Sequence, residues 1–247
     1  MKKLLWLLIL ALASFTSCKK GTITDCFYST GKMSNEDRSI DNFNSILLKD
    51  NVNLILIKSE NNSIKVEAGA NLINQIKTDV NEKGVLVIKN DNKCNWIRSY
   101  ESPITVYLNY IDIDSIEYRS IGDINTLDTL FTDTLWLSIN EGAGKINLEL
   151  NVLRLYCALH YGTADIVLSG KSGLSFVYSA SFGLIDMINM ETSSMYVNNR
   201  SSNDIYLTAT THLGATIENI GNIYYAGNPL TVDLNRIGSG ELIKITE

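Results

Sequence analysis

Proline, histidine and basic residues are scarce in this chain, and each scarcity excludes a class of protein. Among 247 residues there are 2 Pro, 16 Gly and 2 His, and 27 acidic residues outnumber 21 basic ones, which gives a net charge of −6. So little proline and glycine is not the composition of a disordered linker. An acidic chain does not bind nucleic acid by electrostatic attraction to phosphates, so no nucleic-acid partner is expected.

The arrangements that catalysis requires are also missing. His160 and His212 lie far apart in the sequence, and neither belongs to a nucleophile motif. There is no glycine-rich phosphate loop before a helix and no nucleophile elbow. Carboxylates are spread one per repeat, whereas enzymes that cleave polysaccharides need converging acids. We therefore assign no catalytic residue, no metal site and no cofactor, and we keep an enzyme only as the alternative.

Cysteine is rare as well, with 4 in the chain, and no two have the spacing of metal ligands. Cys157 lies in the strand-like run Leu-Tyr-Cys-Ala-Leu and is interpreted as a small core residue. Cys26 and Cys94 could form a disulfide in an oxidising compartment, and their spacing leaves this open.

Long apolar runs are confined to the N-terminus. Lys2 and Lys3 precede an apolar segment, residues 4–13, which is too short to span a bilayer and is typical of a secretory signal peptide. The leader ends in Phe-Thr-Ser-Cys18, which resembles the lipobox of bacterial lipoproteins. That resemblance implies removal of residues 1–17 and acylation of Cys18, so membrane lipid is the first expected partner. An ordinary cleaved signal peptide is the alternative.

The residues after Cys18 indicate how the protein would be attached. Residues 18–37 are polar and are interpreted as a flexible tether between the lipid and the folded domain. We expect lipid anchoring at the outer membrane. Lys19 and Lys20 stand where surface-exported lipoproteins tend to carry acidic residues, so the periplasmic face is favoured over the cell surface.

The second half of the chain repeats one short pattern seven times: a small residue, any residue, a small residue, any residue, then Ile or Leu. The copies are Ser120-Ile-Gly-Asp-Ile124, Gly142-Ala-Gly-Lys-Ile146, Gly162-Thr-Ala-Asp-Ile166, Ser181-Phe-Gly-Leu-Ile185, Ser201-Ser-Asn-Asp-Ile205, Asn219-Ile-Gly-Asn-Ile223 and Gly238-Ser-Gly-Glu-Leu242. The closing aliphatics are 22, 20, 19, 20, 18 and 19 residues apart. A period of this size indicates a solenoid, in which each repeat buries its apolar face against its neighbours.

The spacing predicts an all-β solenoid with about 20 residues per rung, where a rung is one turn of the solenoid. Residues 38–247 form a single domain, in which 113–247 are the regular repeats and 38–112 are further rungs or a cap. Leu72, Ile73 and Ile76 have helical spacing and predict one short helix over residues 70–80. Helices are absent between the repeats, which excludes a doubly wound α/β sheet.

When the seven copies are aligned in columns, the small residues and the aliphatic residues have different structural roles. The small residues fit a corner that needs left-handed dihedrals or close approach between stacked turns. The closing aliphatics, together with the residues two positions after them, are expected to stack inside the solenoid. The outward columns are left to contact a ligand or partner.

Two outward columns carry the candidate ligand or partner surface. Tyr206 and Tyr224 share one column and are expected to stack, either as a platform for a sugar ring or protein or as a contact that stabilises the sheet. The other column precedes the closing aliphatic and could hold calcium or a sugar, or form a solvated edge. Its acidic members are Asp123, Asp165, Asp204 and Glu241. We favour the structural interpretation for both columns.

Several short motifs occur in one order and together resemble a known bacterial family. They are Asp41-Asn-Phe43, Ile64-Lys-Val-Glu-Ala68, the repeated Gly-x-Ile-Asn of Gly122 to Asn125 and Gly144 to Asn147, and Ile223-Tyr-Tyr-Ala-Gly-Asn-Pro229. The chain resembles the head GIN domain family of auto-transporter adhesins over residues 38–246. Ala164 and Asn203 depart from the family, where Gly is usual, which concerns local turn geometry.

The resemblance implies a right-handed parallel β-helix and an envelope lipoprotein. The expected function is a non-catalytic binding, adhesion or scaffold role at the cell envelope. It is stated this broadly because fold alone is a weak warrant for function. The alternative is a β-helix that binds or degrades polysaccharide. Glycans or envelope proteins are the expected partners beyond lipid, and an open solenoid end could form a homo-oligomer.

Overall fold

The structure is a computed structural model that describes residues 29–93 and 103–245. These residues form strands and one short 3-10 helix. The strands are β1 Met33–Arg38, β2 Ser45–Asp50, β3 Val52–Lys58, β4 Ser63–Gly69, β5 Ile76–Val80, β6 Val85–Asn90, β7 Ile104–Tyr110, β8 Ser115–Ser120, β9 Ile124–Thr126, β10 Leu130–Gly142, β11 Lys145–Leu159, β12 Asp165–Ser179, β13 Ile185–Asn199, β14 Ile205–Ile217, β15 Ile223–Ala226, β16 Thr231–Arg236 and β17 Leu242–Lys244. The predicted signal peptide, Cys18, Cys26 and Cys94 lie outside the described residues. Within the described ranges, no helix is long and apolar enough to cross a membrane.

The predicted all-β solenoid is confirmed. Strands β10 to β14 stack in parallel, so that most residues lie beside their equivalents in the next repeat. Ile146, for example, pairs with Ile166, and Ile166 pairs with Ile185. The solenoid has about six turns of roughly 20 residues.

The core consists of the columns that the sequence pattern predicts. Each closing aliphatic of the motif from Ile124 to Ile223 is buried, and so is the residue two positions later in four of the repeats, Leu148, Leu168, Met187 and Leu207. Burying a side chain of this size contributes about 1.5–3 kcal/mol. A single rung has no second layer of its own, so this burial is gained only when rungs stack.

Each long strand serves two neighbouring faces of the solenoid. In β11 the alternation of buried and exposed residues breaks in the middle, where Leu153 and Arg154 are both exposed. Before this point Ile146 and Leu148 face the core, and after it Leu155 and Cys157 do. The change of phase marks a bend, because alternation along a straight strand keeps one set of residues on one face.

The N-terminal rungs stack in a different order from their order in the sequence. Strands β2 and β3 form a rung that lies between two others: β6 and β7 pair with it on one side, and β8 and β9 on the other. All four pairings are parallel, as in the regular repeats. Residues 38–112 therefore supply true rungs although the corner motif is absent there.

The same region also closes the N-terminal end of the stack. Strands β4 and β5 run antiparallel to β7 and β6, and β1 runs antiparallel to β4. Antiparallel strands at the end occupy the hydrogen-bonding groups that would otherwise form an open edge. The guanidinium of Arg38 donates to the carbonyl oxygens of Ile76 (2.7 Å) and Ile73 (3.0 Å), which ties β1 to the start of β5.

Two boundary predictions need correction in this region. The predicted helix over residues 70–80 is one 3-10 turn, Ile73–Gln75, followed by strand β5. The helical spacing of three apolar residues is overridden because β5 gains a full set of pairings with β6. The last residues of the predicted tether, 33–37, belong to β1, since that strand completes the cap on β4.

The corners explain the small residues of the motif. A Cβ atom on Gly144 or Gly183 would collide with a carbonyl oxygen of the preceding rung, that of Gly122 or Ala164. This column therefore needs close approach between stacked turns. The left-handed backbone occurs instead in the first motif position, at Gly142 (φ +117°) and Gly162 (φ +105°).

The last rung carries charge in the core columns. Arg236 follows Ile217 in one inward column, and Lys244 follows Tyr225 in another. Arg236 donates to the carbonyl of Ser239 at 2.7 Å, and Lys244 donates to Asn228 at 2.8 Å. Charged groups at these positions are typical of a terminal capping repeat, which must present a polar face to water.

Candidate functional site

The acidic column predicted from the sequence is built into the corners. The side chains of Asp123, Asp165 and Asp204 each accept a hydrogen bond from a backbone N–H of the next rung. These donors are Lys145 N (2.8 Å), Leu184 N (2.9 Å) and Asn222 N (2.8 Å). One oxygen of each carboxylate therefore satisfies an amide that leaves the sheet at the corner.

Glu241, the fourth acidic residue of this column, lies in the last rung. Its carboxylate is 3.7 Å from the guanidinium of Arg236, and both side chains are largely exposed. The column places its acids on alternate corners, and among the described residues no group of three or more acidic, His or Cys side chains could hold a metal ion. Binding of a ligand by this column stays a prediction.

Tyr206 and Tyr224 stack as predicted, with ring centroids 4.9 Å apart and planes 8° apart. Partial burial, then the negative charge of Asp204, raises the pKa of Tyr206 above its usual value. The pair spans only two rungs. A stack of this size is compatible both with a contact that stabilises the sheet and with a binding platform.

A longer set of aromatic rings lies on another face and is not part of the corner motif. Trp136, Tyr156, Phe176 and Tyr196 occupy equivalent positions in β10 to β13 and form what we call the aromatic ladder. Successive centroids are 3.8, 5.1 and 5.3 Å apart, with planes within 14° of parallel. Trp136, Phe176 and Tyr196 remain 52%, 37% and 43% exposed. The four residues are spaced by 20 in the sequence, so their period was available as a signal.

Trp136 and Tyr156 stack squarely, with centroids 3.8 Å apart, but the later rings of the aromatic ladder are stepped. Aromatic faces in contact are separated by about 3.5–4.0 Å. Centroid separations of 5.1 Å for Tyr156 and Phe176 and 5.3 Å for Phe176 and Tyr196 therefore include a sideways shift. Each step leaves a strip of ring face open to solvent, and apolar ring faces are what a ligand can stack on.

The aromatic ladder ends at Gly214, whose missing side chain makes room for the last ring. A Cβ atom there would lie 2.9 Å from Cδ1 of Tyr196 and 3.4 Å from Nε2 of His212. The His212 ring is tilted by 49° against Tyr196, with centroids 5.0 Å apart, and its Nδ1 is 2.7 Å from the hydroxyl of Thr231. Gly214 thus forms a notch between an aromatic ring and polar side chains.

A groove of about 690 Å³ runs beside the aromatic ladder across β11 to β14 and β16. One wall consists of Tyr156, Phe176 and Tyr196. The other is the next outward column, with Ala158, Tyr178, Asn198, Thr216 and Asn235. Five strands spaced by about 4.8 Å give a length of roughly 19 Å. The groove is long enough for an extended ligand of several units.

Polar groups along the second wall are held in place by neighbouring rungs. The hydroxyl of Tyr178 lies 3.2 Å from the guanidinium of Arg200, which also forms an ion pair with Glu218 at 3.0 Å. The side-chain amide of Asn198 donates to Glu218 at 2.9 Å. Asp233 lines the far end and is the single charged residue among those that line the groove.

The two histidines border this surface without forming a catalytic group. His160 packs against Tyr178, with ring centroids 5.5 Å apart, while His212 packs against Tyr196. Cys157 lies in the inward column of the same strand, and burial raises the pKa of its thiol to about 12, which makes it a poor nucleophile. The face is therefore suited to binding by stacking and hydrogen bonds.

The sequence matches a family model described as "Putative auto-transporter adhesin, head GIN domain" over residues 42–229. No curated protein matches the chain. These residues include the aromatic ladder, the Tyr206 and Tyr224 pair and most of the corners.

Several crystal structures of bacterial proteins share the fold. A "putative adhesin" from Bacteroides fragilis NCTC 9343 is 20% identical, with a TM-score of 0.79 over 87% of this chain and 97% of that chain. A "putative lipid binding protein" from Parabacteroides distasonis ATCC 8503 is 18% identical, with a TM-score of 0.71 over 88% and 98%. A "putative adhesin" from Parabacteroides merdae ATCC 43184 is 18% identical, with a TM-score of 0.65 over 88% and 98%. At these identities the likeness concerns the fold.

Proposed function

The chain belongs to the head GIN domain family of auto-transporter adhesins, and from this we propose a non-catalytic, adhesin-like protein of the cell envelope that binds oligosaccharide in the groove. The observation that carries the proposal is the stepped aromatic ladder beside a polar wall. Sugars present apolar C–H faces and hydroxyl edges, and a site for them needs ring faces next to hydrogen-bonding groups. Phe176 and Tyr178 supply these two chemistries side by side.

The periodicity of the groove supports an oligomeric ligand. Successive rungs repeat the same two columns at about 4.8 Å, which is close to the length of one hexose unit in an extended chain. A glycan that lies along the solenoid axis meets an equivalent ring at each step. Several weak contacts in series then produce useful affinity from a shallow surface.

The proposed attachment to the envelope depends on the leader sequence. Acylation of Cys18, together with removal of residues 1–17, would hold the domain at the outer membrane, with the periplasmic face favoured. β1 begins at Met33, so 14 residues, 19–32, separate it from Cys18. At about 3.3–3.6 Å per residue, these reach at most roughly 50 Å and leave the groove free to meet a glycan.

A glycan array followed by titration tests the binding proposal. Phe176→Ala removes a central ring of the aromatic ladder and is expected to weaken binding by about tenfold, or roughly 1.4 kcal/mol. Phe182→Ala makes the same change at a corner residue that is 68% exposed and lies outside the groove, so it should bind as the wild type does. Phe176→Tyr keeps the ring and should retain binding. No bound oligosaccharide, or equal affinity for all variants, would refute the proposal.

Two further measurements separate the remaining alternatives. Release of reducing ends from the bound glycan would favour a polysaccharide-degrading enzyme over a non-catalytic protein. Cys18→Ala is expected to move the protein from the membrane fraction to the soluble fraction, and unchanged fractionation would contradict the lipid anchor. Protease treatment of intact cells then decides between the two membrane faces.

A further inference from the structure

The residues that line the groove carry negative charge only, although positive side chains lie close to it. Asp233 is the one charged residue that lines it. Arg200, which contacts the second wall through the Tyr178 hydroxyl, is already paired with Glu218 at 3.0 Å. Arg154 precedes Tyr156 by two residues and therefore stands in the outward column on the opposite side of the aromatic ladder.

We infer that the groove selects neutral or amino-bearing oligosaccharides and rejects anionic ones, with Asp233 as the residue that sets this preference. The inference rests on the proposed function and deepens it. A uronate, sulfate or phosphate group in the groove would meet the Asp233 carboxylate with no free cation among the lining residues to offset it. Like charges brought together at a binding surface suppress the wrong ligand even when the attractive contacts are intact.

The position of Asp233 explains how one carboxylate can repel an anionic group at the end of the ligand that lies beyond the last ring. It follows Gly214 in the column of the aromatic ladder, where the rings have stopped. Asp233 therefore stands on the other side of Gly214 from Tyr196, whose ring leans towards the Gly214 backbone. A sugar that stacks on the open strip of Tyr196 places its next substituent over the notch and towards Asp233.

The second wall matches a neutral ligand. It offers the hydroxyls of Tyr178 and Thr216 and the amide of Asn235, groups that donate and accept hydrogen bonds without charge. Sugar hydroxyls and N-acetyl groups pair with such side chains. An ammonium group on an amino sugar would in addition be attracted to Asp233.

The test uses the full-length Cys18→Ala protein and three hexasaccharides: a neutral β-glucan, an N-acetylglucosamine oligomer and a galacturonate oligomer. Affinities are measured at low and at physiological salt, because exposed charges are screened beyond about 8–10 Å. We expect the galacturonate oligomer to bind at least about tenfold more weakly than the neutral ones, with the difference shrinking as salt rises.

Charge-changing variants make the assignment specific. Asp233→Asn should remove most of the discrimination, and Asp233→Lys should reverse it. Glu82→Gln makes the same charge change in the β5–β6 turn at the capped end, and it should leave the discrimination unchanged. Equal binding of all three hexasaccharides by the wild type, a preference for galacturonate, or insensitivity to Asp233 variants would overturn the inference. In those cases loss of binding in Phe176→Ala would still support the proposed function, so the two failures are distinguishable.

Discussion

The hydroxyl of Tyr118 accepts a hydrogen bond from the backbone N–H of Gly144 at 2.9 Å, and so links one corner of the solenoid to the next. The same hydroxyl donates to the carbonyl of Gly122 at 2.7 Å. Tyr118 is fully buried, and burial raises the pKa of its hydroxyl to about 12. A core tyrosine therefore fastens two glycine corners that have no side chains of their own with which to interact.

Tyr118→Phe should destabilise the protein because it leaves the Gly144 amide without this partner in a partly buried corner. An unsatisfied buried donor costs about 1–3 kcal/mol. Urea unfolding measured by circular dichroism would show the loss as a lower midpoint. Tyr110→Phe is the matched control: that ring is equally buried, but its hydroxyl has no hydrogen-bond partner among the described residues. The control should be neutral or stabilising, and equal losses in both variants would contradict the bridging role.

Asp165 should stabilise its corner as a hydrogen-bond acceptor and not as a charge. Asp165→Ala removes the acceptor of the Leu184 amide and is expected to cost about 1 kcal/mol. Asp165→Asn keeps a side-chain oxygen and should cost less than half of that. Lys145→Ala changes a residue of the same column that caps no amide, so its unfolding midpoint should stay near the wild type. A loss in Asp165→Asn as large as in Asp165→Ala would instead indicate an ionic role.

The stability of the protein should fall as the pH rises above about 9. Burial raises the pKa of the Cys157 thiol from 9.0 to about 12, so the unfolded chain loses this proton first. A raised folded-state pKa stabilises the fold below the unfolded value and is lost as pH rises towards the folded value. The expected loss from Cys157 is about 2 kcal/mol between pH 8 and pH 10.5.

Cys157→Ala isolates this contribution. Alanine occupies the same inward column at Ala215, so the site tolerates it geometrically. Urea unfolding under reducing conditions should show a shallower pH dependence for the variant, even if its stability at pH 8 is lower. Tyr110 and Tyr118, whose pKa values burial also raises to about 12, should maintain a residual decline above pH 10 in both proteins. Parallel curves for the two proteins would contradict the assignment to Cys157.

The columns of the solenoid could be predicted because parallel stacking in register turns sequence period into spatial proximity. Ile146, Ile166 and Ile185 are buried neighbours for this reason. The aromatic ladder obeys the same rule with a period of 20, but its residues lie outside the corner motif, which is the pattern that reveals the repeats. The hydrogen bonds of the polar side chains in a column are harder to predict from the sequence. Asp165, for example, accepts a hydrogen bond from a backbone amide whose direction depends on the corner geometry.

The stacking order of the N-terminal rungs could not be predicted because it differs from their order in the chain. The rung of β2 and β3 lies between rungs that are formed later in the sequence, so no constant spacing links equivalent positions. The helical spacing near Ile73 was misleading for a related reason. A segment of eleven residues is too short to be stable as an isolated helix, and its conformation is determined by the pairing of β5 with β6, which also pairs with β2.

Gly214→Ala should impair the groove without unfolding the protein. The new Cβ atom would lie 2.9 Å from Tyr196, so the ring must move away from the backbone it now covers. Gly214 itself has an ordinary backbone conformation and lies in β14, paired with Tyr196 of β13, so alanine is acceptable there apart from this contact. The expected result is at least about fivefold weaker oligosaccharide binding, near 1 kcal/mol, with an unfolding midpoint close to that of the wild type. Tyr196→Gly in the Gly214→Ala background removes the clash and tests the mechanism. If displacement of the ring is the cause, the double variant should bind no more weakly than Tyr196→Gly alone, whereas independent, additive losses would show that Gly214 acts through some other contact.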